Sequence, residues 1–136
     1  MKVMFDTNVL FPAWLYLGGV CAKAYKKAIK DKDYTVVECT HCIEEFLNKC
    51  NKKFPEDMPK IQLFLTDILT KTELIKTPPD SEKTPEEELI RDVKDRPILR
   101  AAVAANVDII VTGDKDFLNS GIKNPKILTP VEFINF

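Results

Sequence analysis

No apolar run in the 136 residues reaches the roughly 18–20 needed to span a membrane. The first carboxylate, Asp6, comes too early for the apolar region of a secretory signal peptide. These two absences predict a cytoplasmic protein with no membrane partner. Only one histidine, His41, is present, which argues against a histidine-based catalytic triad. There is no Gly-x-Gly-x-x-Gly and no phosphate-loop lysine motif, so dinucleotide binding and nucleoside-triphosphate hydrolysis both lack support. Internal repeats are missing too. So is any marked excess of charge: 20 Lys and Arg stand against 21 Asp and Glu, for a net charge of −1. That balance alone argues for no nucleic-acid partner.

Four cysteines, Cys21, Cys39, Cys42 and Cys50, are too few in a chain this long to read as a disulfide scaffold. Cys39, His41, Cys42 and Cys50 are the residues that could form a zinc site. Cys39 and Cys42 have the two-residue gap of a zinc knuckle, but no second knuckle follows. Cys42 and Cys50 also fall inside an amphipathic helical pattern, where free cysteine behaves as a small buried hydrophobe.

What is present is an alternation of short apolar runs and helical stripes, sized for one domain over 1–136. Lys2–Phe5, Tyr34–Val37, Glu73–Lys76, Asp108–Thr112 and Lys126–Thr129 read as strands. Helices are expected over Val9–Leu17 with an interruption near Pro12, over Val20–Lys30, from a Thr40 cap to Phe54, and over Pro59–Thr70. Further helical starts stand at Thr84-Pro85, Asp95-Arg96-Pro97 and Pro130. Thr77-Pro78-Pro79-Asp80-Ser81 is the clear loop. Strands alternating with helices predict an α/β fold with a parallel sheet covered on both faces.

Two of those strands end in aspartate, Asp6 and Asp114, and ligands of open parallel sheets bind outside the strands' carboxyl ends. Asp95, opening the helix before the fourth strand, falls on the same rim. Glu44 and Glu45 are adjacent candidates from the Thr40 helix, and Asp92 shares a helical spacing with Asp95. Read singly, Asp95 is a helix cap, Asp116 caps a turn, and Glu44 or Glu45 is a solvated charge. Asp6 resists that reading, because a carboxylate directly after a buried strand needs a partner. Carboxylates gathered on one edge repel, and hard, oxygen-seeking Mg²⁺ or Mn²⁺ relieves the repulsion. With Asp6, Glu45, Asp95, Asp114 and Asp116 set against cations, the rest of the chain is net positive and compatible with a phosphodiester. Lys115 is the lysine nearest these acids in sequence. The lysines of Val20–Lys30 read equally well as phosphate contacts or as a solvated face.

Phe5-Asp6-Thr7-Asn8-Val9-Leu10, Glu45 in a mid-chain helix, Asp95-Arg96-Pro97-Ile98-Leu99-Arg100-Ala101-Ala102 and Val111-Thr112-Gly113-Asp114-Lys115-Asp116-Phe117-Leu118 together resemble the PIN domain. Ile127-Leu128-Thr129-Pro130-Val131-Glu132-Phe133 resembles its end, so the likeness covers essentially the whole chain. It is strongest to the VapC-like group of stand-alone prokaryotic PIN proteins, toxins of toxin–antitoxin pairs. The resemblance implies a three-layer α/β/α sandwich with a central parallel β-sheet. It implies a Mg²⁺- or Mn²⁺-dependent endoribonuclease that cleaves single-stranded RNA, with an antitoxin protein and a homodimer as expected partners. Carried over position by position, Asp6, Glu45, Asp95 and Asp114 are the catalytic, metal-binding acids and Asp116 an auxiliary metal ligand. Asn8 and Thr112 support them, and Lys115 is the expected phosphate contact. Glu45 is preferred to Glu44 because it precedes the apolar pair Phe46-Leu47. Two rival readings remain: a catalytically silent PIN scaffold that binds RNA or a protein, and a phosphohydrolase acting through Asp6. The latter lacks the second aspartate expected at position 8, where Asn8 stands.

Overall fold

The computed structural model describes all residues, 1–136. Its centre is strand β1, Lys2–Phe5, whose Val3, Met4 and Phe5 are wholly buried. Side chains of a strand alternate between faces, so Val3 and Phe5 enter one core and Met4 the other. A strand buried on both faces belongs in the middle of a parallel sheet. β1 indeed lies between β2 (Thr35–Cys39) and β4 (Ile109–Val111). β3 (Glu73–Ile75) and β5 (Lys126–Leu128) form the edges, giving the order β3-β2-β1-β4-β5 with every pairing parallel.

Helices cover both faces, completing the α/β/α sandwich. Against the Val3–Phe5 face pack α1 (Thr7–Leu15), α2 (Val20–Lys30) and α7 (Pro130–Ile134), joined by Phe46 and Cys50 and by Ile61 and Ile68. Phe46 and Cys50 belong to α3 (Thr40–Lys53), Ile61 and Ile68 to α4 (Met58–Lys71). The Met4 face is covered by α5 (Arg96–Ala104), by Phe117 of the short α6 (Lys115–Leu118) and by Cys42 of α3. No helix is long and apolar enough to cross a membrane.

Several local expectations shift. α1 begins at Thr7 and runs through Pro12 without interruption. Proline there forfeits only the bond to the Asn8 carbonyl, while Val9, Leu10, Phe11 and Ala13 around it are buried and hold the helix in place. Thr40 does not cap α3: its hydroxyl pairs with that of Thr77, 3.2 Å away, and ties α3 to the loop after β3. Thr84-Pro85 opens only a 3₁₀ turn, Pro85–Leu89, despite a complete capping box with Glu87. Cys39 Sγ and Cys42 Sγ lie 3.5 Å apart in one core, but Cys50 packs in the opposite one, so the three sulfurs do not converge.

The topology prepares one functional edge. After β1 the chain proceeds outward through β2 and β3, then returns to place β4 on β1's other side. The order therefore reverses between β1 and β4, and such a reversal opens a crevice at the strands' carboxyl ends. Asp6 and Asp114 both stand there.

Candidate metal centre

Asp6 leaves β1 directly into α1. Its backbone does the capping, its carbonyl accepting from the amides of Val9 (2.9 Å) and Leu10 (3.1 Å). The carboxylate caps nothing. It turns instead toward β4, where Thr112 Oγ1 donates to Asp6 Oδ2 at 2.8 Å. The same hydroxyl accepts from the Asp114 amide at 3.0 Å, so one threonine fixes both acids. Asn8 Oδ1 accepts from the Gly113 amide at 3.3 Å and fastens the start of α1 to the turn carrying Asp114. Asp114 uses Oδ1 to cap α6 through the Asp116 amide (2.8 Å). Its other oxygen is free for the cavity.

Asp95 occupies the cap position of α5, yet its side chain makes no capping bond. Its Oδ2 is buried with no partner at all. A buried, unpartnered carboxylate oxygen is costly as an anion, and either a proton or a cation in the cavity relieves that cost. Carboxylate oxygens of Asp6, Asp95 and Asp114 all lie within 4.8 Å of one another. They open into a cavity of about 390 Å³ with no hydrophobic wall, lined also by Thr7, Asn8, Glu45, Asn48 and Lys49.

The electrostatics follow from this crowding. Burial pushes the Asp6 carboxyl up to about 6; the Thr112 hydrogen bond opposes the rise, and the charges of Glu45 and Asp114 add to it. Asp95 is pushed up to about 8, first by burial, then by the adjoining Asp114 carboxylate and by the charges of Asp6 and Asp92. Burying Val3, Met4 and Phe5 contributes about 1.5–3 kcal/mol each. That offsets the cost of ending the same strand on a carboxylate. The trio offers hard oxygen donors with room for water, a donor set that fits a hard divalent cation.

The remaining candidates divide. Glu45 lines the cavity from α3, its Oε1 lying 3.0 Å from His41 Nε2 and 3.4 Å from Thr7 Oγ1. Glu44 is exposed and does not line the cavity. Asp116 also lies outside it. With Asp92 and Asp95 it forms a second group of acids within 4.8 Å, and Arg91 Nε stands 3.8 Å from its Oδ1. Lys115, the lysine expected near the phosphate, is exposed and forms no part of the wall; Lys49 is the lysine that does. Lys49 stands four residues after Glu45 on α3, a helical spacing that could have pointed to it.

Sequence reasoning also passed over Glu38. This residue of β2 is completely buried, and its Oε1 accepts from the Phe5 amide at 3.0 Å. The β1–β2 register extends through Val3 and Val36, beyond which the Glu38 side chain reaches across to Phe5. Burial holds Glu38 well above the ordinary carboxylate range, opposed by the Phe5 bond and reinforced by the charges of Cys39 and Asp6. An acid in the otherwise apolar run Val36-Val37-Glu38-Cys39 was the available signal.

Comparison with known proteins fits this geometry. Among curated proteins none matches the chain in sequence. In fold, the chain is similar to a crystal structure of VapBC2 from Rickettsia felis bound to a DNA fragment from their promoter. The TM-score is 0.66 at 19% identity, over 94% of this chain and 97% of that one. The family model of the PIN domain matches residues 2–116, a span that holds every acid of the cavity. With that match across most of its length, the chain belongs to the PIN domain family.

Proposed function

We propose that this protein is a Mg²⁺- or Mn²⁺-dependent endoribonuclease that hydrolyses phosphodiesters of single-stranded RNA. The observation that carries the reading is the unpartnered, buried Asp95 Oδ2 beside Asp6 and Asp114, a set of oxygens that no cation of the chain neutralises. Asp6, Asp95 and Asp114 would hold the ion, with Glu45 across the cavity as the fourth acid and Asp116 as an auxiliary one. A divalent cation bound there supplies a water of lowered pKa and neutralises charge on the phosphate. Thr112 and Asn8 keep the acids oriented through the bonds described above. Thr7 and His41, both within reach of Glu45, orient that side chain. His41 is held above its ordinary value chiefly by its hydrogen bond to Glu45, so its proton is an internal competitor for that carboxylate.

As part of the same proposal the protein is a toxin held in check by an antitoxin protein and able to form a homodimer. The VapC-like sequence pattern and the fold shared with the VapBC2 structure support this. The test is cleavage of single-stranded RNA by the purified chain with added Mn²⁺. Activity is expected to vanish with chelator and in Asp6→Asn. Equal cleavage by Asp6→Asn and the unmodified chain would sink the reading.

A further inference from the structure

We propose that the lysine-bearing half of α3, with Phe11, Trp14 and Phe54, is a binding track for single-stranded RNA leading away from the acid cavity. The inference rests on the nuclease reading above and names the path of its substrate. Glu45, Lys49 and Lys53 are spaced four apart on α3, forming one stripe that starts at the cavity wall and climbs about 6 Å per step. Lys49 is the sole cation among the residues lining the cavity. From Glu45 to Glu56 the chain carries no acid, only Lys49, Lys52 and Lys53. None of the three pairs with a carboxylate within 4.0 Å, so their charge is uncommitted.

The lysines are held rather than loose. Lys49 Nζ stands 4.5 Å and Lys53 Nζ 5.5 Å from the centre of the Phe11 ring. Phe11 stacks on Phe54 at 6.2 Å, and Trp14 meets Phe54 edge-on at 5.7 Å. Phe11 is buried, but Trp14 and Phe54 are only half-buried. Lysines that track a phosphate backbone beside aromatic faces on which bases stack are the two requirements of single-strand binding. Lysine stems lying on rings for packing alone are common. Here, though, the stripe begins inside the candidate centre, and a strand with one phosphate at the acids must send its neighbours past some wall.

The test uses a short fluorescein-labelled single-stranded RNA, with cleavage stopped by Asp114→Asn. Lys49→Met with Lys53→Met keeps the aliphatic stems on Phe11 and removes both charges. Affinity by anisotropy is expected to fall roughly tenfold, and the slope of log K against log salt to drop by about 1.4, since each phosphate contact on a single strand contributes about 0.7. Lys32→Met with Lys123→Met, both exposed and both just before the amino ends of β2 and β5, is the control and should change neither. Trp14 is the chain's one tryptophan, so its fluorescence reports stacking directly and should be quenched on saturation. Unchanged affinity and slope in the α3 variant, an equal loss in the control, or no quenching would each overturn the track. So would displacement of the RNA by polyglutamate as readily as by unlabelled RNA, which would assign the lysines to an acidic protein segment. If the unmodified chain cleaves RNA but the α3 variant binds normally, the track alone fails. A chain that neither cleaves nor binds RNA overturns the nuclease reading with it.

Discussion

Two clusters of charged side chains in this protein treat their buried carboxylates in opposite ways. Under the loop that follows β3, Glu87 is fully partnered: Arg100 Nη2 donates to its Oε1 at 2.7 Å and Arg100 Nε to its Oε2 at 3.3 Å. Arg100 Nη1 reaches on to Asp80 (3.0 Å) and the Pro78 carbonyl (3.1 Å). Burial works to raise Glu87, but the hydrogen bonds and charge of Arg100, with those of Thr84, outweigh it and hold the carboxyl below its ordinary value. In the cavity the sign is reversed, with Asp6 and Asp95 both held up. The chain evidently has the means to satisfy a buried acid with an arginine. Asp95, at the cap of the helix that carries Arg100, has no such partner, and in the proposed reading a divalent cation takes that place. Glu38 Oε2 is as buried and unpartnered as Asp95 Oδ2; what sets Asp95 apart is that its carboxylate opens on a cavity beside two further acids.

Neutralising one member of each group should separate the two sharply. Asp114→Asn is expected to reduce Mn²⁺-dependent RNA cleavage by about a thousandfold or more, because it removes a candidate ligand worth several kcal/mol. Its metal-free melting temperature should not fall, since the change also removes repulsion from Asp95. Arg100→Met is the mirror case. It strands Glu87 as a buried unpaired charge and should cost about 3–5 kcal/mol of stability, read by denaturant titration. Turnover measured well below its melting point should stay near that of the unmodified chain. Were Arg100→Met to abolish cleavage without loss of stability, the division between the groups would collapse.

The same contrast explains what could be read from the chain. The sheet was legible because Val3–Phe5 and Ile109–Val111 are apolar on both faces, a pattern that fits a central parallel strand and is too short for a helix. The meeting of Asp6, Asp95 and Asp114 was legible because each sits where a strand ends or the preceding helix begins, and topology places those points on one rim. Glu38 was not, because its bond to Phe5 depends on how β1 and β2 diverge, which no local pattern encodes. The capping box at Thr84 suggested a helix, but the pull of Glu87 toward Arg100 lies outside local propensity, and the segment stops after one 3₁₀ turn. Lys115 was favoured for closeness in sequence, whereas α3 delivers Lys49 from far along the chain.

A smaller effect probes the link that orients the cavity acids. Thr112 is completely buried and holds Asp6 and Asp114 by one hydroxyl. Thr112→Val keeps the shape and removes both bonds. Partners that orient metal ligands typically contribute 10–100-fold in affinity or activity, so a loss of about that size is expected, divided between Mn²⁺ affinity and turnover. Thermal stability should move less than in Arg100→Met. A variant with unchanged Mn²⁺ affinity would show that Asp6 and Asp114 orient themselves.

The finest distinction is in pH. An unfolded aspartate titrates near 3.9, whereas Asp6 and Asp95 are held at about 6 and about 8 in the fold. Between roughly pH 4 and 8 the folded, metal-free chain therefore binds more protons than the unfolded one, and its stability falls as pH rises through that window. Glu87 acts in the opposite sense: its folded value is depressed, so its contribution is present at neutral pH and lost as pH falls through that value. Cation binding needs the acids deprotonated. Excess Mn²⁺ at about a hundred times its dissociation constant should add about 2.7 kcal/mol of stability. The rise in melting temperature at a fixed Mn²⁺ concentration should thus be larger at pH 8 than at pH 5.5 and should disappear in Asp114→Asn. In Glu87→Gln the Mn²⁺ effect should persist undiminished, because that acid already has its partner. An equal Mn²⁺ shift at both pH values would mean that the ion settles somewhere other than on Asp6 and Asp95.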